Sequence, residues 1–131
     1  MRIRRAVLDE IVAHARADAP RECCGLLLGS EGEIEERVAA ANLRRSAVAF
    51  LVNPADHFAA IRTARARGRA VIGAYHSHPA SPAVPSPTDI AEANDPAFVH
   101  VIVSLAASEP DVRAYRILGG QVEIVVLQPD R

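Results

Sequence analysis

"AVIGAYHSHPASPAVPSPTDI", residues 70–90, starts as an apolar run and ends in a segment punctuated by Pro79, Pro82, Pro85 and Pro87. Its first nine residues, Ala70 to His78, read as a strand. Side chains two apart on a strand share a face, so the imidazoles of His76 and His78 project together while Ser77 points away. The prolines limit the loop that follows to a few extended or turning paths. Asp89 comes eleven residues after His78, and a stiff loop can return its carboxylate to the histidines.

Working outward, Val7, Leu8, Ile11, Val12 and Ala15 recur at helical spacing between Arg5 and Asp18, and Pro20 stops that helix. "CCGLLLG" (Cys23 to Gly29) and "EIEERVAAANL" (from Glu33) flank the turn-rich Ser30-Glu31-Gly32 and read as two strands. A short strand is expected over Val48 to Val52. Asn53 then caps a second helix, with Pro54 at its first position, Gly68 beyond its end, and Phe58 and Ile61 facing inward. Arg62, Arg65 and Arg69 share a face of that helix or its end; they read as a solvated surface, with a docking patch as the alternative. "FVHVIVSL" (Phe98 to Leu105) is a mostly buried strand, and "VRAYRIL" and "VEIVVLQ" close a hairpin around Gly119-Gly120. The order α, β, β, β, α, β, loop, short α, β, β, β describes a mixed sheet with helices packed against it, an α/β fold.

A chain of 131 residues with half of them apolar supports one cored domain, residues 1–131. The net charge of −1 lacks the basic excess of a phosphate-coating nucleic-acid binder. The apolar runs are only a few residues long, so neither a membrane span nor a secretory leader is expected. Cys23 and Cys24 are adjacent and make no disulfide framework, which points to a reducing cytoplasm. Every basic residue is arginine, a sign of genome bias more than of function.

Two neutral imidazoles and a carboxylate suit Zn²⁺, and three protein ligands leave a fourth tetrahedral position for water, which zinc can activate near pH 7. Ser86-Pro87-Thr88-Asp89 also satisfies a capping box with proline at the first helical position. His-x-His alone is weak, because strand histidines are usually half-buried polar residues. The four residues at these offsets, however, would arise by chance only about once in several thousand chains of this length. Capping and metal binding are compatible, since Ser86 and Asp89 can sit in a first helical turn and still face a metal.

His-x-His, seven residues, Ser86, two residues, Asp89, together with Glu22 in "PRECCGLLLG", resembles the JAMM metalloproteases, the catalytic branch of the MPN domain, over nearly the whole chain. The resemblance implies a curved mixed sheet of the cytidine-deaminase-like type, flanked by helices. It implies that His76, His78 and Asp89 bind zinc, that Glu22 is the general acid/base and that Ser86 supports the oxyanion. It further implies hydrolysis of a peptide or isopeptide bond at the C-terminus of ubiquitin or a ubiquitin-like protein. Compact bacterial members resemble enzymes that trim ubiquitin-like sulfur carriers to expose Gly-Gly, which is the preferred substrate class. The residues agree with these roles: a carboxylate buried near a metal can pass a proton from water to the leaving amine, and a serine hydroxyl can donate to a developing oxyanion.

Two rivals are weighed. A non-catalytic MPN interaction module would be expected to lack ligands, and here every motif position is filled. A zinc deaminase wants His-x-Glu and Pro-Cys-x-x-Cys, and neither occurs. Cys24, two residues past Glu22, shares its face on a strand but reads as a small buried hydrophobe. His14 and His57 read as helix-surface residues and His100 as a strand residue. The identity of the carrier, the residue released and the oligomeric state are left open by the sequence.

Overall fold

The computed structural model describes residues 1–43 and 53–130. In chain order the elements are β1 (Arg2–Ile3), α1 (Arg5–Asp18), β2 (Cys24–Ser30), β3 (Glu33–Ala40), α2 (Pro54–Ala66), β4 (Ala70–His78), α3 (Pro87–Glu92), β5 (Val99–Ser104), β6 (Asp111–Leu118), β7 (Gln121–Val125) and β8 (Gln128–Pro129). The expected strand at Val48 to Val52 lies outside the described residues.

One mixed sheet runs β7-β6-β5-β4-β2-β3-β1-β8. The β4–β5 pair is parallel, as are the pairs of β1 with β3 and β8, while β2 runs antiparallel to both β3 and β4. Register shifts at Leu27/Leu28 and Leu28/Gly29 bend β2, as bulges do. The β6–β7 turn is Gly119-Gly120, both at positive φ (56° and 80°), the conformation a two-residue hairpin turn requires.

Helix α1 covers one face of the sheet. Its buried stripe of Val7, Ile11 and Ala15 packs with Ile3, Leu27, Tyr75, Val99, Val101 and Val103, each large aliphatic chain stabilising by about 1.5–3 kcal/mol on full burial. Gly25 pairs with Tyr75 across β2 and β4. A Cβ there would lie 2.2 Å from the Tyr75 ring, so only glycine lets the ring close the core. Helix α2 covers the other face through Ala60 and Ala64, against Leu26 and Leu28.

Two expectations fail on this geometry. Phe58 does not face inward but is 64% exposed; the buried positions are Ala60 and Ala64, and a residue two before Ala60 lies near the opposite side of the helix. His14 is not a surface residue: its Nδ1 lies 2.7 Å from the Tyr75 hydroxyl. Asn53 does cap α2, its side chain accepting from the Ala55 N–H at 2.8 Å. Arg69 lies beyond the end of α2 and is engaged by Glu35 and Glu36 of β3.

Candidate metal centre

Strand β4 carries His76 and His78 on the face opposite α1, and both are buried. Ser77 points the other way, where its Oγ accepts the Cys23 N–H at 2.8 Å and its own N–H donates to the Cys23 carbonyl at 3.1 Å. These two bonds fasten the approach to β2 beside the end of β4. They set Glu22, only 4% exposed, next to the histidines. The Asn42 amide donates to the Glu22 carbonyl at 2.9 Å and holds the segment from its other side.

The proline loop after His78 is tied down through three consecutive carbonyls. The Ser81 carbonyl accepts from the Ser104 hydroxyl at 2.6 Å, that of Pro82 pairs with His78 Nδ1 at 2.8 Å, and that of Ala83 accepts from the Tyr115 hydroxyl. Ala83 is packed between Ile102 and Tyr115. A carbonyl only accepts, so Nδ1 carries the proton in the Pro82 contact and Nε2 is the nitrogen turned toward the site.

Asp89 arrives on the first turn of α3. The full capping box is present: Ser86 Oγ accepts the Asp89 N–H at 3.0 Å and Asp89 Oδ2 accepts the Ser86 N–H at 2.9 Å. The same Oδ2 lies 3.1 Å from His76 Nε2 and 3.3 Å from His78 Nε2, and the two Nε2 atoms are 3.1 Å apart. Three electron-rich atoms therefore face one point. Ligands about 2.0–2.1 Å from a tetrahedral zinc are separated by about 3.3 Å, so the residues present fit such an ion. Glu22, His76 and His78 place one ligand atom each within 4.8 Å of one another. Asp89 closes the triangle with the two imidazoles, and the Glu22 carboxylate belongs to the same cluster.

The electrostatics separate the two carboxylates. Burial pushes Glu22 up to about 7, with the Asp89 charge adding to the rise and His78 opposing it. Burial would raise Asp89 as well, but hydrogen bonds from His76 and His78 outweigh it and hold the group well below the usual carboxylate range. Desolvation lowers His76, whereas at His78 the bonds to Asp89 and Pro82 overcome burial and raise it. Two acids within one site, one poised near neutrality and one held ionised, is the arrangement expected of a proton carrier beside a ligand.

Cys24 pairs with His76 in register, but its Sγ contacts the Ala40 carbonyl at 3.8 Å and burial pushes the thiol up to about 12, which makes it an inert core residue. His57 is half-buried rather than on the surface, and with His100 it lines a cavity of about 760 Å³ beside His76 and Asp89. Sequence reasoning missed Ser104 and Tyr115 because nothing local links them to a loop more than twenty residues away. It also missed Asn42, whose contact with Glu22 is equally long-range.

Residues 4–118 match the family described as prokaryotic homologs of the JAB domain. The chain is 34% identical over 123 residues to the CysO-cysteine peptidase of Mycobacterium tuberculosis, covering 92% of this chain and 84% of that one. It is 38% identical over 90 residues to a probable TtuB-protein conjugate cleaving protease of Thermus thermophilus, covering 68% and 60%. A solution structure of a protein from Desulfitobacterium hafniense superposes with a TM-score of 0.91 at 32% identity, over 99% of this chain and 93% of that one. A structure titled as a metalloprotease-like zinc site in the proteasome and signalosome superposes at 0.65 and 25% identity, over 100% and 98%. The fold and site define a hydrolase of the JAMM type. This chain belongs to the compact prokaryotic JAB-domain family.

Proposed function

We propose that the protein is a zinc peptidase that cuts after the C-terminal Gly-Gly of a ubiquitin-like sulfur-carrier protein. The observation that carries this reading is the triangle of His76 Nε2, His78 Nε2 and Asp89 Oδ2, with sides of 3.1–3.3 Å and the Glu22 carboxylate close by. His76, His78 and Asp89 would hold the metal. When bound, zinc supplies Lewis acidity and a water activated near neutral pH.

The remaining steps belong to the chain. Glu22, poised near 7, accepts a proton from the attacking water and returns it to the leaving amine. Ser86 Oγ already accepts the Asp89 N–H, which leaves its hydroxyl hydrogen to donate to the carbonyl oxygen as charge develops. Glycine, which has no side chain, lets the scissile carbonyl approach these side chains closely. The names of the relatives support the substrate class: one concerns a CysO-cysteine peptidase and one a TtuB-protein conjugate. Two free, buried thiols support a reducing, cytoplasmic setting.

Metal analysis and mass spectrometry test the proposal together. Wild type should bind one zinc per chain and convert a carrier ending in Gly-Gly-Cys to Gly-Gly, and His78→Ala should do neither. Full zinc stoichiometry in His78→Ala would refute the ligand set. Equal cleavage of an Ala-Ala tail would refute the Gly-Gly specificity.

A further inference from the structure

We infer that the polar groove beside Glu22 receives the leaving group, and that Arg21 selects leaving groups ending in a free carboxylate one residue past the scissile bond. This rests on the peptidase reading above and adds a specificity determinant to it.

Two cavities border residues of the site, one at His76 and Asp89 and the other at Glu22. The larger touches His76 and Asp89, has Ile61, Ala64, Val71 and Ala74 in its wall, and does not reach Glu22. The smaller, about 530 Å³, is formed by the turn after α1 with Ala41 and Asn42, and it has Glu22 in its wall. The position of the proton carrier decides which side is which. An amine that takes its proton from Glu22 must sit within about 3 Å of that carboxylate, so the residue attached to it begins at Glu22 and continues into the smaller groove. The acyl side, with its Gly-Gly tail, is left to the larger and more apolar cavity.

Among the described residues, Arg21 is the only cation lining the smaller groove. It is exposed, and its guanidinium makes no ion pair among the described residues. Its backbone is fixed by donation of its N–H to the Asp18 carbonyl at 2.9 Å. Asp18, which also lines the groove, lies 3.4 Å from His14 Nε2 and makes no ion pair with Arg21 among the described residues. A guanidinium offers a planar fork that matches a carboxylate. One amino-acid residue spans only about 3.5 Å, so a single released residue held at Glu22 by its amine presents its carboxylate within reach of the adjacent side chain. A lysine side chain entering through its ε-amine brings no carboxylate to that place. The geometry therefore favours trimming of a one-residue extension over cleavage of isopeptide conjugates.

The test compares two otherwise identical carriers, one ending in Gly-Gly-Cys with a free carboxylate and one with the terminal carboxamide. Binding is measured by calorimetry on the zinc-loaded Glu22→Gln protein, in which the tail stays uncut. The acid should bind on the order of tenfold tighter than the amide, as one charge-assisted contact implies. Adding Arg21→Ala should make the two equal, and Arg21→Lys should restore part of the difference. Turnover by the enzyme with native Glu22 should show the same ratio in kcat/KM. Equal affinities with Arg21 in place, or a preference that survives Arg21→Ala, would overturn the assignment. If the acid preference depends on Arg21 yet neither tail is ever cut, the groove assignment stands and the peptidase reading falls.

Discussion

Tyr75 and His76 are neighbours on β4 and face opposite worlds. Tyr75 points into the dry core beneath α1, fully buried among aliphatic side chains and held by His14. His76 points to a face where Glu22, His78, Asp89 and Ser104 bring polar atoms together. The period-two alternation of a strand makes this possible. At its C-terminal end the strand places Tyr75 in the core and turns the imidazoles of His76 and His78 to the other face. The site gains its precision from the core: the strand that aims the histidines is the one locked by Tyr75, and Gly25 opposite it permits that packing.

If the two faces do separate work, damage to each should be separable. The largest effect is expected from Glu22→Gln, which should keep zinc and the thermal midpoint while turnover falls by about 10²- to 10⁴-fold. Added zinc should not rescue it, whereas a His76→Ala enzyme should regain some activity with excess metal. Wild-type turnover by Glu22→Gln would remove Glu22 from the mechanism. On the core face, Leu27→Ala should cost about 2–5 kcal/mol in denaturant unfolding, with kcat per folded molecule unchanged. A fall in kcat to match would show that the faces are not independent. The smallest effect is expected from Tyr115→Phe, which removes one tether of the proline loop. About 0.5–1.5 kcal/mol should be lost, with zinc affinity more sensitive than in Leu27→Ala because the tethered loop leads to Asp89. Equal zinc affinity in these two variants would argue against that coupling.

Much of this was legible in the sequence where the signal was periodic or local. Helix α1 starts and stops at Arg5 and Asp18 as its apolar spacing indicates, Asn53 and Pro54 open α2, and the Gly119-Gly120 hairpin is present. His76, His78, Ser86 and Asp89 converge as the strand and loop spacing suggested, and Glu22, supplied by the family resemblance, lies with the two histidines. Strands β1 and β8 were invisible because two residues show no period. Phe58 was misread because an apolar side chain near a helix start suggests burial, while the small residues Ala60 and Ala64 let α2 approach the sheet closely on another face. His14 was misread because its partner lies 61 residues away. The loop tethers from Ser104 and Tyr115 were unreadable for the same reason.

The capping box at the start of α3 has a consequence for reading other chains. Ser86 and Asp89 each satisfy a backbone N–H of the first helical turn, so a descendant that abandons chemistry still benefits from keeping both. A Ser-x-x-Asp in this place thus testifies to a helix start first and to an enzyme second. His76 and Glu22 have no comparable helix to serve, and their loss or retention is the better witness to whether a related sequence still cuts anything.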